Sequence, residues 1–178
     1  PLKFWNDEGD KKYRNAYFLK YKNIWHHGDY AETKDSGGFV IHGRSDATLN
    51  PGGVRLGTAE IYSEVEKFDE IKEALVVGQA WDNDVRVILF VVLNNKHKLT
   101  EKLVTMVKKQ IRKNISPRHV PAKIFSIKDI PKTKNGKIVE LAVRQTIDGD
   151  QIKNLEALAN PESLNQFKNI KELYEQND

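Results

Sequence analysis

Two apolar runs placed almost end to end constrain this chain more than any other feature. "EALVVGQAW" (Glu73 to Trp81) and "DVRVILFVVLN" (Asp84 to Asn94) are rich in β-branched residues and read as strands. The link Asp82-Asn83-Asp84 has turn composition, so the runs form a hairpin. Such a ribbon must be covered, and the flanking segments have helical spacing. In "TAEIYSEVEKF", Thr58 reads as the N-cap, with Ile61, Val65 and Phe68 on one face. After Thr100, a second cap, Leu103, Val104, Val107, Ile111 and Ile115 form one stripe with lysines opposite, and Pro117 and Pro121 interrupt the pattern. "AKIFSIKDI" (Ala122 to Ile130) reads as a third strand and "VELAVRQTI" (Val139 to Ile147) as a third helix. "NPESL" marks another helix start, with Asn160 as cap and Pro161 at the first helical position. The expectation is a small α/β (α+β) domain of about three strands flanked by three or more helices.

Ahead of it the composition changes. Residues 28–42, "GDYAETKDSGGFVIH", read as a hairpin around Lys34 to Gly38, where glycines can take positive φ. "GRSDATLNPGGVRLG" holds four glycines and a proline in fifteen residues and reads as a turn-rich ribbon. The break falls near Ser45-Asp46. The opening 23 residues are polar and aromatic without strong periodicity, and the chain starts at Pro1. The strip does not read as able to fold alone, so the chain is expected to be part of something longer, with Phe4, Trp5, Tyr17, Phe18 and Trp25 disordered or paired with another copy.

Of the 178 residues, 39% are apolar and 30% charged, with a net charge of +4, which fits a folded core and a mildly basic surface. That charge suits an anionic small molecule as readily as nucleic acid. Cysteine is absent, which excludes disulfides, thiolate metal sites and a thiol nucleophile. The longest apolar run, Val87 to Leu93, is far too short to span a bilayer, and no signal segment opens the chain. These features lead to the expectation of a soluble, cytoplasmic protein with no membrane partner.

Several residues could carry chemistry. In "IPKTKNGKIVE", Pro131 restrains the approach and Asn135-Gly136 is a strong turn dipeptide, so Lys137 projects a compact ammonium suited to phosphate and carboxylate oxygens. A surface lysine in a lysine-rich loop is the more common reason for such a residue. Asp29 in "WHHGD" could accept from two adjacent sugar hydroxyls, as acidic residues do for ribose, or simply serve a turn. His26 and His27 are adjacent, so in a strand they would face opposite ways, which speaks against a shared metal. Arg44 and Asp46 stand in "GRSD", and Gly53 and Arg55 in "PGGVRLG". A glycine pair there marks either a bulge or a close ligand approach.

Their order is more specific than any one of them. "HGD", a hairpin, "GRSD", "LNPGGVRLGTAEIY" and "PKTKNGKIVE" together resemble the C-terminal end of the adenylate-forming superfamily, the acyl-CoA synthetases and their relatives. "GRSDATLNPGGVRLGTAEI" is similar to the acetyl-CoA synthetase branch, and "NPGGVR", "SPRHVP", "NGKIVE" and "NPESL" to its acetoacetate-activating members. The resemblance covers essentially the whole chain. It implies an ATP-dependent acid–thiol ligase that joins a short-chain carboxylate, acetoacetate, to CoA through an acyl-adenylate with release of AMP and pyrophosphate. Acetyl- or propionyl-CoA synthesis is the alternative. Residues 1–44 would end a large N-terminal domain that is otherwise missing, 45–46 would be a hinge, and 47–178 a mobile C-terminal lid.

On the same resemblance, Lys137 is the catalytic lysine of adenylation. Asp29, Arg44 and Arg55 bind ATP and AMP, Gly53 and Arg112 contact CoA, and Asp46 is the hinge residue. Mg2+ would bind through the N-terminal domain, and no metal site is expected here. The equivalent lysine in related short-chain synthetases is reversibly acylated, which implies a lysine acetyltransferase and deacetylase acting on Lys137. The phosphate loop and acyl pocket of the superfamily are not found, so this piece alone should not activate acids. A basic nucleic-acid-binding module is the competing class, and a free-standing scaffold domain a third. A nucleic-acid module would interleave aromatics with its lysines, whereas Phe125 is the single aromatic between Phe90 and Phe167. No nucleic-acid partner is therefore expected.

Overall fold

A computed structural model describes residues 2–152 and 154–175. Pro1, the first residue of the expected N-terminal strip, lies outside them. Helix α1 (Lys11–Phe18) is followed by strands β1 (Asp29–Thr33) and β2 (Phe39–Arg44). Helix α2 (Thr58–Val65) leads into β3 (Ile71–Trp81) and β4 (Asp84–Leu93). Helix α3 (Glu101–Asn114), β5 (Lys123–Ser126) and α4 (Glu140–Asp148) complete the regular elements, and 3-10 turns follow, the longest over Pro161–Phe167.

The central sheet has the order β3-β4-β5. The β3–β4 hairpin is as expected, but its link is shorter than the triplet Asp82-Asn83-Asp84. Asp82 and Asn83 both adopt positive φ (48° and 60°), which matches a two-residue turn to the twist of the strands, and Asp84 already belongs to β4. β5 runs parallel to β4, a pairing that needs a crossover, and α3 supplies it.

Alternation along the strands explains why the runs are apolar throughout. Val76, Val87, Leu89 and Val91 point into one core with Ile61, Val65, Leu103, Val107 and Ile111 of α2 and α3. Leu75, Val77, Ile88 and Phe90 point into a second core with Val143 and Ile147 of α4 and Leu164, Phe167 and Leu173 of the tail. A sheet buried on both faces leaves little room for polar positions. Phe90 lies between Phe125, with centroids 5.6 Å apart, and Phe167, edge-on at 4.9 Å.

Local chemistry sets the ends of these helices. Thr100 caps α3 as expected, its hydroxyl accepting from Leu103 N–H at 3.2 Å. Thr58 is not a cap. It is the first residue of α2, and Gly57 occupies the cap position because a Cβ there would fall 2.4 Å from the His42 carbonyl oxygen. Nor does the Asn160 side chain cap its 3-10 turn; it is turned instead onto the loop at 129–132.

The opening strip corrects two expectations. A helix, α1, forms where no periodicity was evident, and Phe4, Tyr13, Tyr17, Phe18 and Trp25 meet one another in edge and tilted ring contacts with centroids 5.0–5.9 Å apart. These aromatics are therefore ordered against each other, although Trp5 stays 95% exposed. His26 and His27 precede β1 and lie in no strand, so the alternation argument does not apply to them. The 29–44 hairpin is present as expected, with Gly37 at φ 81° in its turn.

Candidate functional site

The site is built around the base of the first hairpin. Asp29 opens β1 and Arg44 closes β2, and the register pairs them directly. An Arg44 Nη lies 3.2 Å from Asp29 Oδ1 and donates to the His27 carbonyl at 3.1 Å, while Nε lies 3.4 Å from Asp46 Oδ1. Gly28 suits this point because its φ of 90° is a backbone conformation that L side chains rarely adopt. The pair is partly open to solvent, so it contributes little stability and leaves the guanidinium available for a stronger anion. His27 Nδ1 lies 2.7 Å from the other Asp29 oxygen. Arg55 sits over the Tyr30 ring, 5.7 Å from its centroid, and His42 tilts against the same ring at 5.0 Å. The structure thus gathers Asp29, Arg44, Asp46 and Arg55 along one hairpin end.

The connection through Asp46 is closed by local bonds. Ser45 N–H and Oγ–H both donate to the Gly28 carbonyl (2.8 and 3.0 Å), and the Thr48 hydroxyl reaches the carbonyls of Arg44 and Ser45 (3.1 and 2.9 Å). Beyond it a cleft of about 260 Å³ is lined by Asp46, Asn50, Val76, Glu140 and Arg144 among others. Glu140 is the first residue of α4. It accepts from the Tyr62 hydroxyl at 3.0 Å, and the same phenol oxygen accepts from Val76 N–H at 3.1 Å. Burial pushes the Glu140 carboxyl above the ordinary carboxylate range, and nearby Asp46 adds to that, while the donors around it and Arg44 oppose. Burial, with Glu140 beside it, also lifts the Tyr62 phenol well above its usual value. Neither Tyr62 nor Glu140 was singled out from the sequence, because a partner 78 positions away leaves no local pattern.

Lys137 stands apart from the Asp29–Arg44 group, with no contact joining them among the described residues. Its turn is closed by Thr133, whose N–H donates to the Lys137 carbonyl (2.8 Å), whose carbonyl accepts from Gly136 N–H (2.8 Å) and whose hydroxyl accepts from Lys137 N–H (3.1 Å). The Lys137 side chain is exposed and has no hydrogen bond or ion pair among the described residues. Gly53 has φ 75° and open space where a side chain would begin; the preceding Gly52 N–H donates to both oxygens of Asp84 at 2.9 Å. Arg112 lies in the last turn of α3 and is exposed. Among the described residues, no group of three or more His, Cys, Asp or Glu could hold a metal ion, and no helix is long and apolar enough to cross a membrane.

Residues 60–137 match the AMP-binding enzyme C-terminal domain family. The fold around them is the small mixed α/β domain of acyl-CoA synthetases. Over 97% of its length the chain is 60% identical to the acetoacetyl-coenzyme A synthetase of Rhizobium meliloti (strain 1021) and 48% identical to the acetoacetyl-CoA synthetase of Gallus gallus. The solved acetoacetyl-CoA synthetase of Streptomyces lividans superposes with a TM-score of 0.88 at 36% identity, over 98% of this chain and 27% of that one. The chain spans about a quarter of these relatives, 27% of the Rhizobium and 26% of the Gallus protein.

Proposed function

We propose that this chain is the C-terminal part of an ATP-dependent acetoacetate–CoA ligase, forming acetoacetyl-CoA, AMP and pyrophosphate through an acyl-adenylate. The observation that carries the reading is the 60% identity over 97% of the chain to an acetoacetyl-CoA synthetase. On this reading residues 1–44 close the large N-terminal domain, 45–46 form the hinge at Asp46, and 47–178 are the mobile lid. The enzyme works in the cytoplasm, where ATP and CoA are supplied, and Mg2+ is held with ATP by the N-terminal domain.

The roles follow from charge and position. Carboxylate and α-phosphate are both negative and must come into contact, and charge grows on the phosphoryl oxygens as the bond forms. The Lys137 ammonium, held out on a closed turn with no competing partner among the described residues, offsets that repulsion when the lid brings it to them. Asp29 accepts from the ribose hydroxyls. Arg44, whose partners among the described residues are the half-buried Asp29 carboxylate, the exposed Asp46 carboxylate and the His27 carbonyl, can exchange them for phosphate, and Arg55 approaches the same group. After adenylation the lid turns at Asp46, Lys137 withdraws, and Gly53 lines the passage for the pantetheine arm, its lack of a side chain leaving the thiol's path clear. Arg112 meets a CoA phosphate. A lysine acetyltransferase acting on the exposed Lys137 would remove the charge and silence the first step, and a deacetylase would restore it.

The test is the full-length enzyme with Lys137→Ala, assayed for pyrophosphate release and, separately, for thioester formation from supplied acyl-adenylate. The expected result is loss of the first activity with the second largely kept. Equal damage to both would contradict the role. Acetate and propionate, offered in place of acetoacetate, check the substrate.

A further inference from the structure

We propose that residues 154–166 form a clasp that fixes the Lys137 turn, and that Asn160 is its positioning residue; this rests on the assignment of Lys137 to adenylation. The inference starts from backbone groups. The loop leading into the turn, 128–134, dips into the core at Ile130 and Pro131 and pairs locally through Thr133, the Lys132–Ile138 bridge, Val139 N–H onto the Pro131 carbonyl (3.2 Å) and Ile130 N–H onto Asp129 Oδ1 (3.0 Å). Its remaining polar main-chain groups are met largely from the tail. Lys132 N–H donates to Asn160 Oδ1 at 2.9 Å, and Asn160 Nδ2 donates to the Ile130 carbonyl at 2.9 Å and to the Asp129 carboxylate. Lys134 N–H donates to the Ala157 carbonyl (3.1 Å), and Ala159 N–H donates to the Lys132 carbonyl (2.8 Å). Gln166 closes the far end, accepting from Lys128 N–H (2.6 Å) and donating to the Asp129 carbonyl (3.2 Å). Thr133 and Leu158 form a bridge between the two segments.

The clasp is itself anchored. Leu158, Leu164 and Phe167 are at most 7% exposed and lie in the core under α4. The turn beyond has no such support, since Lys134 through Lys137 are all exposed. A buried anchor therefore passes its rigidity through Asn160 to a loop whose tip carries the working charge. Placement at this level matters, because a displacement of about 1 Å from reacting geometry costs on the order of a hundredfold in rate.

The experiment uses the full-length enzyme with Asn160→Ala, and reads the two half-reactions separately alongside amide hydrogen exchange. The expected result is pyrophosphate release slowed about tenfold through kcat, with KM for ATP and thioester formation from supplied acyl-adenylate each within about twofold. Exchange at Lys132 and Lys134 should quicken without global loss of protection. Asn160→Asp sets two carboxylates against each other and should be as slow. Adding Asp129→Asn in that background restores a donor–acceptor pair and should recover most of the rate. This pair carries the test if Asn160→Ala does not fold. The clasp is overturned if both half-reactions fall together, if neither falls, or if Asp129→Asn gives no rescue. Lys137→Ala serves as the reference: if it leaves adenylation intact, the Lys137 assignment fails, whereas a silent Asn160→Ala beside an inactive Lys137→Ala refutes the clasp alone.

Discussion

Replacing Tyr62 with Phe removes one oxygen and leaves the ring, which makes the structural cost workable. β3 is an edge strand with β4 on one side only, so N–H groups on its other side need partners from elsewhere. Val76, fully buried, donates its N–H to the Tyr62 oxygen at 3.1 Å. Without that oxygen a buried N–H is left unpaired, at about 1–3 kcal/mol, and the net value of the phenol–Glu140 bond, about 0.5–1.5 kcal/mol, is lost as well. Together these come to roughly 2–4 kcal/mol, a sizeable share of the ~5–15 kcal/mol typical of a folded domain. For a chain of this size the melting temperature should fall by about 5–12 °C. Urea unfolding should show a lower midpoint with an unchanged slope, the sign that stability changed and the unfolded state did not. A loss below about 0.5 kcal/mol, the range of an ordinary surface change, would refute the reasoning, because it would mean the Val76 amide reaches water.

Three further outcomes follow. Because burial raises the Glu140 carboxyl, the folded state binds more protons than the unfolded state just above the ordinary carboxyl range, and stability falls as pH rises through that window. Glu140→Gln should flatten this slope and raise the urea midpoint at neutral pH. Glu32, lowered by its bonds to Lys34 and His42, and Glu64, lowered by Lys67 and Asn114, act in the opposite sense, their stability being lost as pH falls below that range. Gly53→Leu in the full-length enzyme should spare pyrophosphate release and block transfer to CoA, so failure of adenylation would refute the passage assigned to Gly53. Gly57→Ala places a Cβ 2.4 Å from the His42 carbonyl and should destabilise by about 1–3 kcal/mol as the hairpin lifts from α2; an unchanged urea midpoint would mean the hairpin is not seated there.

The central hairpin and α3 were legible because their signals are local: β-branched runs about a turn, and a capped stripe of period 3.6. The Asp29–Arg44 pairing also follows once the first hairpin is read, since its register joins both ends, whereas Arg55 is brought there by its contact with the Tyr30 ring. What escaped depends on contacts between distant segments. α1 is held by rings that meet only in the folded chain. β5 is parallel because α3 returns the chain to the side of β4. Asn160 has every local mark of a cap, yet its amide is used by a loop 28–31 residues upstream. The Tyr62–Glu140 pair left no trace in sequence, since burial of a carboxyl cannot be read from its neighbours.

The first hairpin meets the rest of the molecule along a polar seam. Across it His42 reaches Glu60 (3.3 Å) and the Gly28 carbonyl holds Ser45, while Glu60 is also held from behind by His119 (2.7 Å). Parting such faces exposes groups that water satisfies at once, so separation forfeits only the small net value of each bond. An oily joint of equal area would resist in proportion to every square ångström uncovered. For the hinge proposed at 45–46, movement would thus be cheap to begin, with the resting orientation left to whatever anion lies between the two parts.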